Sequence, residues 1–368
     1  MTIPFLDLTV EQQLLLKRLK EPGHHVVSGP PGSGKSLLAV HHAAQARLMG
    51  EPTTLLAHSK LLKQHLNADA AGLGADIEVL TFHAWVHAWY RQSTGSSLSA
   101  RSGQFDWTEL VRASLQNAGR REQTFVVDEG QDLPPQFYQL CRLIGARIIA
   151  FADEYQRITD TQSTLNEIET ALGRCTRHEI VENLRNPRPV AELAIRYSVG
   201  FHTLPPPIRD GPTPVLLHLP DQRRPFVQWL ADYASARRRL SVGVVLKYTR
   251  MQQELLADLE RIGHGLRPQI YVGGAPTDRH RTIDPARSGI RLINRASIKG
   301  LEFDTVIIPD THLDRDDPTS AEIRMMYYVL TTRARSELYF CYSGVREPPI
   351  LADAPESLLT RSLLQAPR

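Results

Sequence analysis

Long apolar runs are missing from this 368-residue chain. No stretch approaches the roughly 20 residues that cross a bilayer, so no membrane span is expected. The opening MTIPFLDLTVEQQ has no basic stretch leading into an apolar one, so no secretory signal is expected and the chain reads as cytoplasmic. Cysteine is scarce. Cys141, Cys175 and Cys341 are far apart, odd in number and without metal-ligand spacing, which argues against a disulfide framework and for reduced thiols. His24, His25, His41, His42 and His83 lack Cys or carboxylate partners at metal spacing, which argues against zinc. An excess of one charge is also lacking: the net charge of +3 permits a local nucleic-acid surface without demanding one. Short repeats and low-complexity tracts are absent.

What is present is an ordinary globular composition, 42% hydrophobic and 23% charged, in a chain long enough for two domains with separate cores. Short apolar runs alternate with longer helical patterns, the signature of a parallel α/β architecture. The runs 24–29, 52–58, 77–82, 124–128 and 147–153 read as strands of a first domain. A second set follows at 178–182, 214–219, 241–246, 290–294, 304–309 and 337–342. Pro134 and Pro135 suit a helix start, as does Pro187. The expected domains are 1–170 and 171–368.

The strongest chemical signal is GPPGSGKS at 29–36, a strand-to-helix turn of the form G-x-x-x-x-G-K-[ST]. Backbone N–H groups around Gly29, Gly32, Ser33 and Gly34 are suited to wrap phosphates at a helix N-terminus. Lys35 would reach the β- and γ-phosphates of ATP, and the Ser36 hydroxyl would ligate Mg²⁺. The stretch TFVVDEGQD at 124–132 supplies the complementary acids. Asp128, ending a strand, is placed for the metal, and Glu129 to deprotonate the attacking water. Gln131 and Asp132 are not needed for hydrolysis and read as coupling residues.

DEGQD resembles the D-E-x-Q-D box of UvrD/Rep-like superfamily 1 helicases, and further motifs follow in that family's order. Gln12 in LTVEQQ resembles the adenine-reading glutamine. TFHAW at 81–85 is similar to the single-strand contact motif, which assigns Thr81, Phe82, His83 and Trp85 to nucleic acid, with His58 where a nucleic-acid-contacting Phe is expected. FADEYQRI at 151–158 resembles the motif in which Gln156 senses the γ-phosphate. ENLRN at 182–186 places Arg185, and YVLTTRAR at 328–335 places Arg333, on the family's two arginine fingers. VVLKYTRMQQ and YVGG resemble the segment leading to the second accessory insertion, and IKGLEFDTVII at 298–308 aligns Gly300 and Glu302 with the nucleotide site, Glu302 near the ribose. The resemblance spans residues 8–342. It implies two tandem RecA-like P-loop NTPase domains, each a mostly parallel sheet flanked by helices, hydrolysing Mg-ATP in the cleft between them and moving 3′→5′ along single-stranded nucleic acid, DNA rather than RNA.

The departures from the pattern carry information. The stretches at 86–127 and 275–297 leave no room for the family's accessory domains, so a bare motor core is expected. Leu184 stands where the adenine-stacking Tyr belongs, Asn294 and Ala296 replace Thr and His, and no aromatic follows the motif at 151–158. Base–aromatic stacking is worth about 1–3 kcal/mol per base, so lost platforms weaken the grip on a strand. Trp89 reads as core packing on an amphipathic helix, and the Arg pairs and triplets at 223–224 and 237–239 as solvated helix ends. A second reading is therefore a nucleotide-gated regulatory ATPase of a repair or phage-defence assembly, read by a protein partner such as a nuclease. A metabolic P-loop kinase leaves Gln131, Gln156, Arg185 and Arg333 without a purpose.

Overall fold

Side chains alternate across a strand, so an apolar run with no polar interruption must be covered on both faces. The computed structural model, which describes residues 4–98, 105–116, 123–153, 163–199, 209–219, 223–263, 265–273 and 282–364, builds two such covered sheets. They lie in separate units, Met1–Val181 and Glu182–Arg368.

In the first unit the strands are β1 (His24–Ser28), β2 (Thr53–Ala57), β3 (Glu78–Thr81), β4 (Thr124–Val127), β5 (Arg147–Ala152) and β6 (Cys175–Glu179). They form one sheet in the order β3-β2-β4-β5-β1-β6, and every pair is parallel. Phe125 and Val127 of β4 enter one core with Trp85, Trp89, Phe137 and Tyr138, while Val126 enters the other with Leu16, Leu38 and Leu62. The helices α1 (Val10–Arg18), α2 (Lys35–Leu48) and α3 (Lys60–Gly72) thus cover one face. The helices α4 (Phe82–Thr94), α5 (Trp107–Gln116), α6 (Pro135–Leu143) and α7 (Leu165–Leu172) cover the other.

The first unit runs past the expected boundary at 170 because β6 is its edge strand. The apolar run expected at 178–182 pairs only through 175–179, where solvent reaches most side chains and no apolar pattern marks the strand. It is fastened to β1 by a pair of stacked imidazoles, His25 Nδ1 lying 2.9 Å from His178 Nε2. His42, on α2, is buried with neither ring nitrogen hydrogen-bonded, and burial, then the charges of Arg147, His25 and Lys20, push its pKa down to about 3. The unfolded chain therefore binds this proton first as pH falls below 6.5, and the neutral ring's contribution is lost between 6.5 and about 3 at about 1.4 kcal/mol per pH unit. In denaturation at pH 7 and pH 5, wild type is expected to lose stability relative to His42→Leu; an unchanged difference would contradict the assignment.

In the second unit the helices are α8 (Arg188–Tyr197), α9 (Arg223–Ala236), α10 (Thr249–Ile262), α11 (Ala321–Thr332) and α12 (Pro349–Ala352). Its strands are β7 (Val215–Leu219), β8 (Ser241–Leu246), β9 (Gln269–Tyr271), β10 (Gly289–Asn294), β11 (Phe303–Ile308), β12 (Ala334–Ser343) and β13 (Thr360–Leu363). They are parallel throughout in the order β13-β7-β12-β11-β8-β10-β9. The two edge strands β9 and β13 were not among the expected runs. Both are short, and only one neighbour stabilises each. No helix among the described residues is long and apolar enough to cross a membrane. All three cysteines are free thiols, with Cys141 and Cys341 buried.

Candidate nucleotide site and the residues around it

The parallel sheet of the first unit delivers its functional groups at the C-terminal ends of β1, β5 and β4, which are adjacent in that order. From β1 the chain turns through residues 29–34 into α2. Gly34 holds φ 88°, a left-handed backbone that favours glycine, and a Cβ there would also stand 2.7 Å from Gln12 Nε2. Gln12 is buried and occupied twice: its amide oxygen accepts from Thr9 N (3.1 Å), and its amide nitrogen donates to Ser33 O (3.2 Å). It caps α1 and braces the loop at 29–34, so both ends of its amide are already engaged.

Lys35 is buried, and its ammonium donates to Gly29 O at 2.7 Å, Pro30 O at 2.9 Å and Asp153 Oδ2 at 3.3 Å. Asp153 follows the last residue of β5. It lies in FADEYQRI at 151–158, and the motif pattern gives it no role of its own. Its signal was the same as that of Asp128: an acid at the end of an apolar strand.

Asp128 follows β4 and is buried. Burial, then the neighbouring Glu129 carboxylate, push its pKa up to about 7, against the pull of the Ser36 hydroxyl and Lys35. Ser36 is hydrogen-bonded to this carboxylate, while Asp128 Oδ2 is buried without a partner. A hydroxyl and an unsatisfied carboxylate oxygen side by side fit a hard cation such as Mg²⁺. The described residues contain no group of three or more His, Cys, Asp or Glu able to hold a metal, so a cation here would take its further ligands from water or a bound ligand. Ser33 Oγ, in the loop itself, is likewise buried and unpaired.

Glu129 is the one non-glycine residue with positive φ among the described residues, at φ 52° and ψ 49°. A left-handed side-chain-bearing residue costs on the order of 1–2 kcal/mol, and such strain persists where surrounding contacts impose it. The contacts are present. Gly130 accepts a 2.6 Å bond from the buried Tyr138 hydroxyl, which would stand 2.8 Å from a Cβ at this position. Gln131, wholly buried, donates to Glu129 Oε2 at 2.5 Å and accepts from Asp153 N at 2.9 Å. One continuous chain of bonds thus runs from Glu129 through Gln131 and Asp153 to Lys35. Asp132 closes the short turn, its N–H donating to Glu129 O at 2.9 Å. Gln156 lies outside the described residues.

The expected nucleic-acid contacts fare unevenly. Thr81 spends its hydroxyl capping α4, accepting from Ala84 N at 3.2 Å. Phe82 and Trp85, expected at a nucleic-acid surface, are instead core residues. Trp85 packs edge-on against Phe125 at 4.7 Å and Phe137 at 5.8 Å, and Phe82 lies against Phe105 and Phe137. The physical reason is the period of α4, whose positions 82, 85, 86 and 89 share the face turned to the sheet. Trp89 is buried there too, as expected. His58 is exposed and stacks on Phe82 at 5.9 Å, and half-buried His83 lies 6.3 Å from it. Trp85→Ala is expected to cost about 3–5 kcal/mol in chemical denaturation. Unchanged stability would return Trp85 to the surface.

In the second unit, Arg185 forms an ion pair with Glu302, which Arg335 also binds at 3.2 Å. Glu302, expected near a ribose, is held by these two guanidinium groups. It follows the turn at Gly300 into β11. Asn186 beside Arg185 donates to Thr332 O (3.0 Å) and Ala334 O (2.8 Å), so the segment carrying Arg185 is tied to both sides of Arg333. Arg333 itself is buried, its Nε donating to Val329 O at 3.0 Å at the end of α11. A buried ionic network that sequence reasoning did not find lies at the ends of β8, β10 and β11. Arg295 meets Asp310 at 2.6 Å and Asp314 at 2.6 Å, and Lys247 meets Asp314 at 3.0 Å. These residues are too far apart in sequence for any spacing rule to join them.

No family model and no curated protein matches the chain. Solved structures are similar in fold. Dbp5 of S. cerevisiae, bound to RNA and ADP BeF3, matches over 98% of this chain and 91% of its own, with a TM-score of 0.56 and 11% identity. The C-terminal domain of a possible DNA helicase from Lactobacillus plantarum WCFS1 matches over 48% of this chain and 98% of its own, with a TM-score of 0.37 and 20% identity. The fold is that of two tandem RecA-like units, each a parallel sheet flanked by helices.

Proposed function

We propose that this chain is a Mg²⁺-dependent ATPase stimulated by single-stranded nucleic acid, DNA before RNA, with the motor core of UvrD/Rep-like superfamily 1 helicases. One observation carries the reading: the phosphate loop, with Lys35 and Ser36, shares a strand-end site with the unsatisfied oxygen of Asp128 and with the strained, buttressed Glu129. Lys35 releases Asp153 to take the β- and γ-phosphates of ATP. Ser36 and Asp128 would hold Mg²⁺, which neutralises charge on those phosphates when bound. Glu129 accepts a proton from water as its oxygen attacks the γ-phosphorus, and the bond to the ADP oxygen breaks. Gln131 keeps Glu129 oriented and, through Asp153, ties it to the state of Lys35. Arg185 and Arg333 remain the two guanidinium groups that the resemblance assigns to the transferring phosphoryl group.

His58 and His83 are the proposed nucleic-acid contacts of the first unit. The burial of Phe82 and Trp85 favours a second reading, in which ATP gates the chain for a protein partner such as a nuclease and the isolated chain unwinds nothing. Calorimetric titration with Mg-ATP tests the nucleotide site itself. Wild type is expected to bind, and Lys35→Ala to bind at least about tenfold more weakly; equal binding would sink the assignment.

A further inference from the structure

The helix α1 is apolar on two sides. Leu15, Leu16 and the following Leu19 pack into the core, as a single-faced helix requires. Val10 and Leu14, one turn apart on another face, stand 73% and 50% exposed, and Leu6 just before the helix is 86% exposed. Val10 and Leu14 border a groove of about 550 Å³ between the 5–20 segment and Gln45 of α2, lined also by the apolar side chains of Phe5 and Leu16. Among the described residues, the ionisable groups lining it are Lys17 and Lys20, and no ion pair engages either.

We propose that this groove docks an amphipathic helix of a partner protein, with its apolar row on Val10 and Leu14 and acidic residues beside Lys17 and Lys20. Charge chooses the occupant. A second copy docking the same patch on itself brings lysine against lysine, which opposes an isologous contact. A lipid surface is flat and leaves a concave floor unfilled, whereas a helix presents projecting anchors at one-turn intervals. The inference stands apart from the nucleotide site, since none of these residues belongs to it.

The test is fluorescence anisotropy with the full chain and two labelled helical peptides of about four turns, each with Leu at i, i+4 and i+7. One carries flanking Glu and the other flanking Lys. The Glu peptide is expected to saturate at micromolar concentrations, and the Lys peptide to bind at least about tenfold more weakly. Leu14→Glu is expected to weaken the Glu peptide by about tenfold or more without moving the melting temperature or ATP binding. Lys17→Glu combined with Lys20→Glu is expected to reverse the preference between peptides. Absence of saturable binding, equal binding of the two peptides, or a preference unchanged in the double variant overturns the proposal. So does a dimer in sedimentation that Leu14→Glu dissolves, or binding to phosphatidylglycerol vesicles that the same substitution abolishes.

Discussion

Glu129→Gln is expected to lower ATP hydrolysis by about 10²–10⁴-fold while leaving Mg-ATP binding within a few-fold of wild type. Glutamine keeps the size of the side chain and accepts through its carbonyl oxygen, so Gln131 at 2.5 Å still has a partner. What the substitution removes is the capacity to take a proton from water. A loss in turnover with binding preserved is the signature of a group that acts in the transition state. Single-turnover phosphate release beside nucleotide titration separates the two quantities. Hydrolysis unchanged in Glu129→Gln would mean that another group is the base and that the strained backbone at φ 52° serves only the turn.

Asp128→Asn is expected to raise stability and abolish hydrolysis together. With its folded pKa near 7 and an ordinary carboxylate value of 3.8, Asp128 opposes folding when ionised. The sign is opposite to that of His42. The penalty is fully present above pH 7 and disappears as pH falls through 3.8, at about 1.4 kcal/mol per unit in between. A neutral amide still accepts from Ser36 through its oxygen and carries no charge beside Glu129, so it relieves both burial of charge and repulsion. Without nucleotide or metal, Asp128→Asn is expected to melt above wild type at pH 8, with the difference shrinking toward pH 5. A variant that melts lower at pH 8 would contradict the placement of an unpaired buried carboxylate here. The paired outcome, more stable and inactive, is what a site built for a cation predicts.

These predictions rest on features of unequal legibility in the sequence. The parallel sheets were readable because uninterrupted runs such as FVV at 125–127 and VVL at 244–246 must be covered on both faces. The turn from β1 into α2 was readable because its glycines sit between an apolar run and a helical pattern. The edge strand β6 was not, since most of its side chains face solvent and it is held on β1 by its backbone ladder and a histidine pair rather than by an apolar pattern. Trp85 shows the limit of a short motif: the same aromatic spacing serves a nucleic-acid face or a core face, and only the packing of α4 against β4 decides. The backbone of Glu129, and the bonds joining Glu129, Gln131, Asp153 and Lys35, depend on tertiary contacts that no local pattern encodes. Gln131 was nevertheless legible as a residue that hydrolysis alone does not require. Its two bonds, to Glu129 and to the N–H of Asp153, give that reading a physical path.

The most direct measurement of the central claim is steady-state ATP hydrolysis by the purified chain with and without a panel of single-stranded DNA and RNA oligonucleotides, with Glu129→Gln as the blank. Stimulation of about tenfold or more by single strands, greatest with DNA and absent in Glu129→Gln, is the expected result. A wild-type rate that no single strand changes would contradict the motor reading and leave a nucleotide-gated binding module in its place.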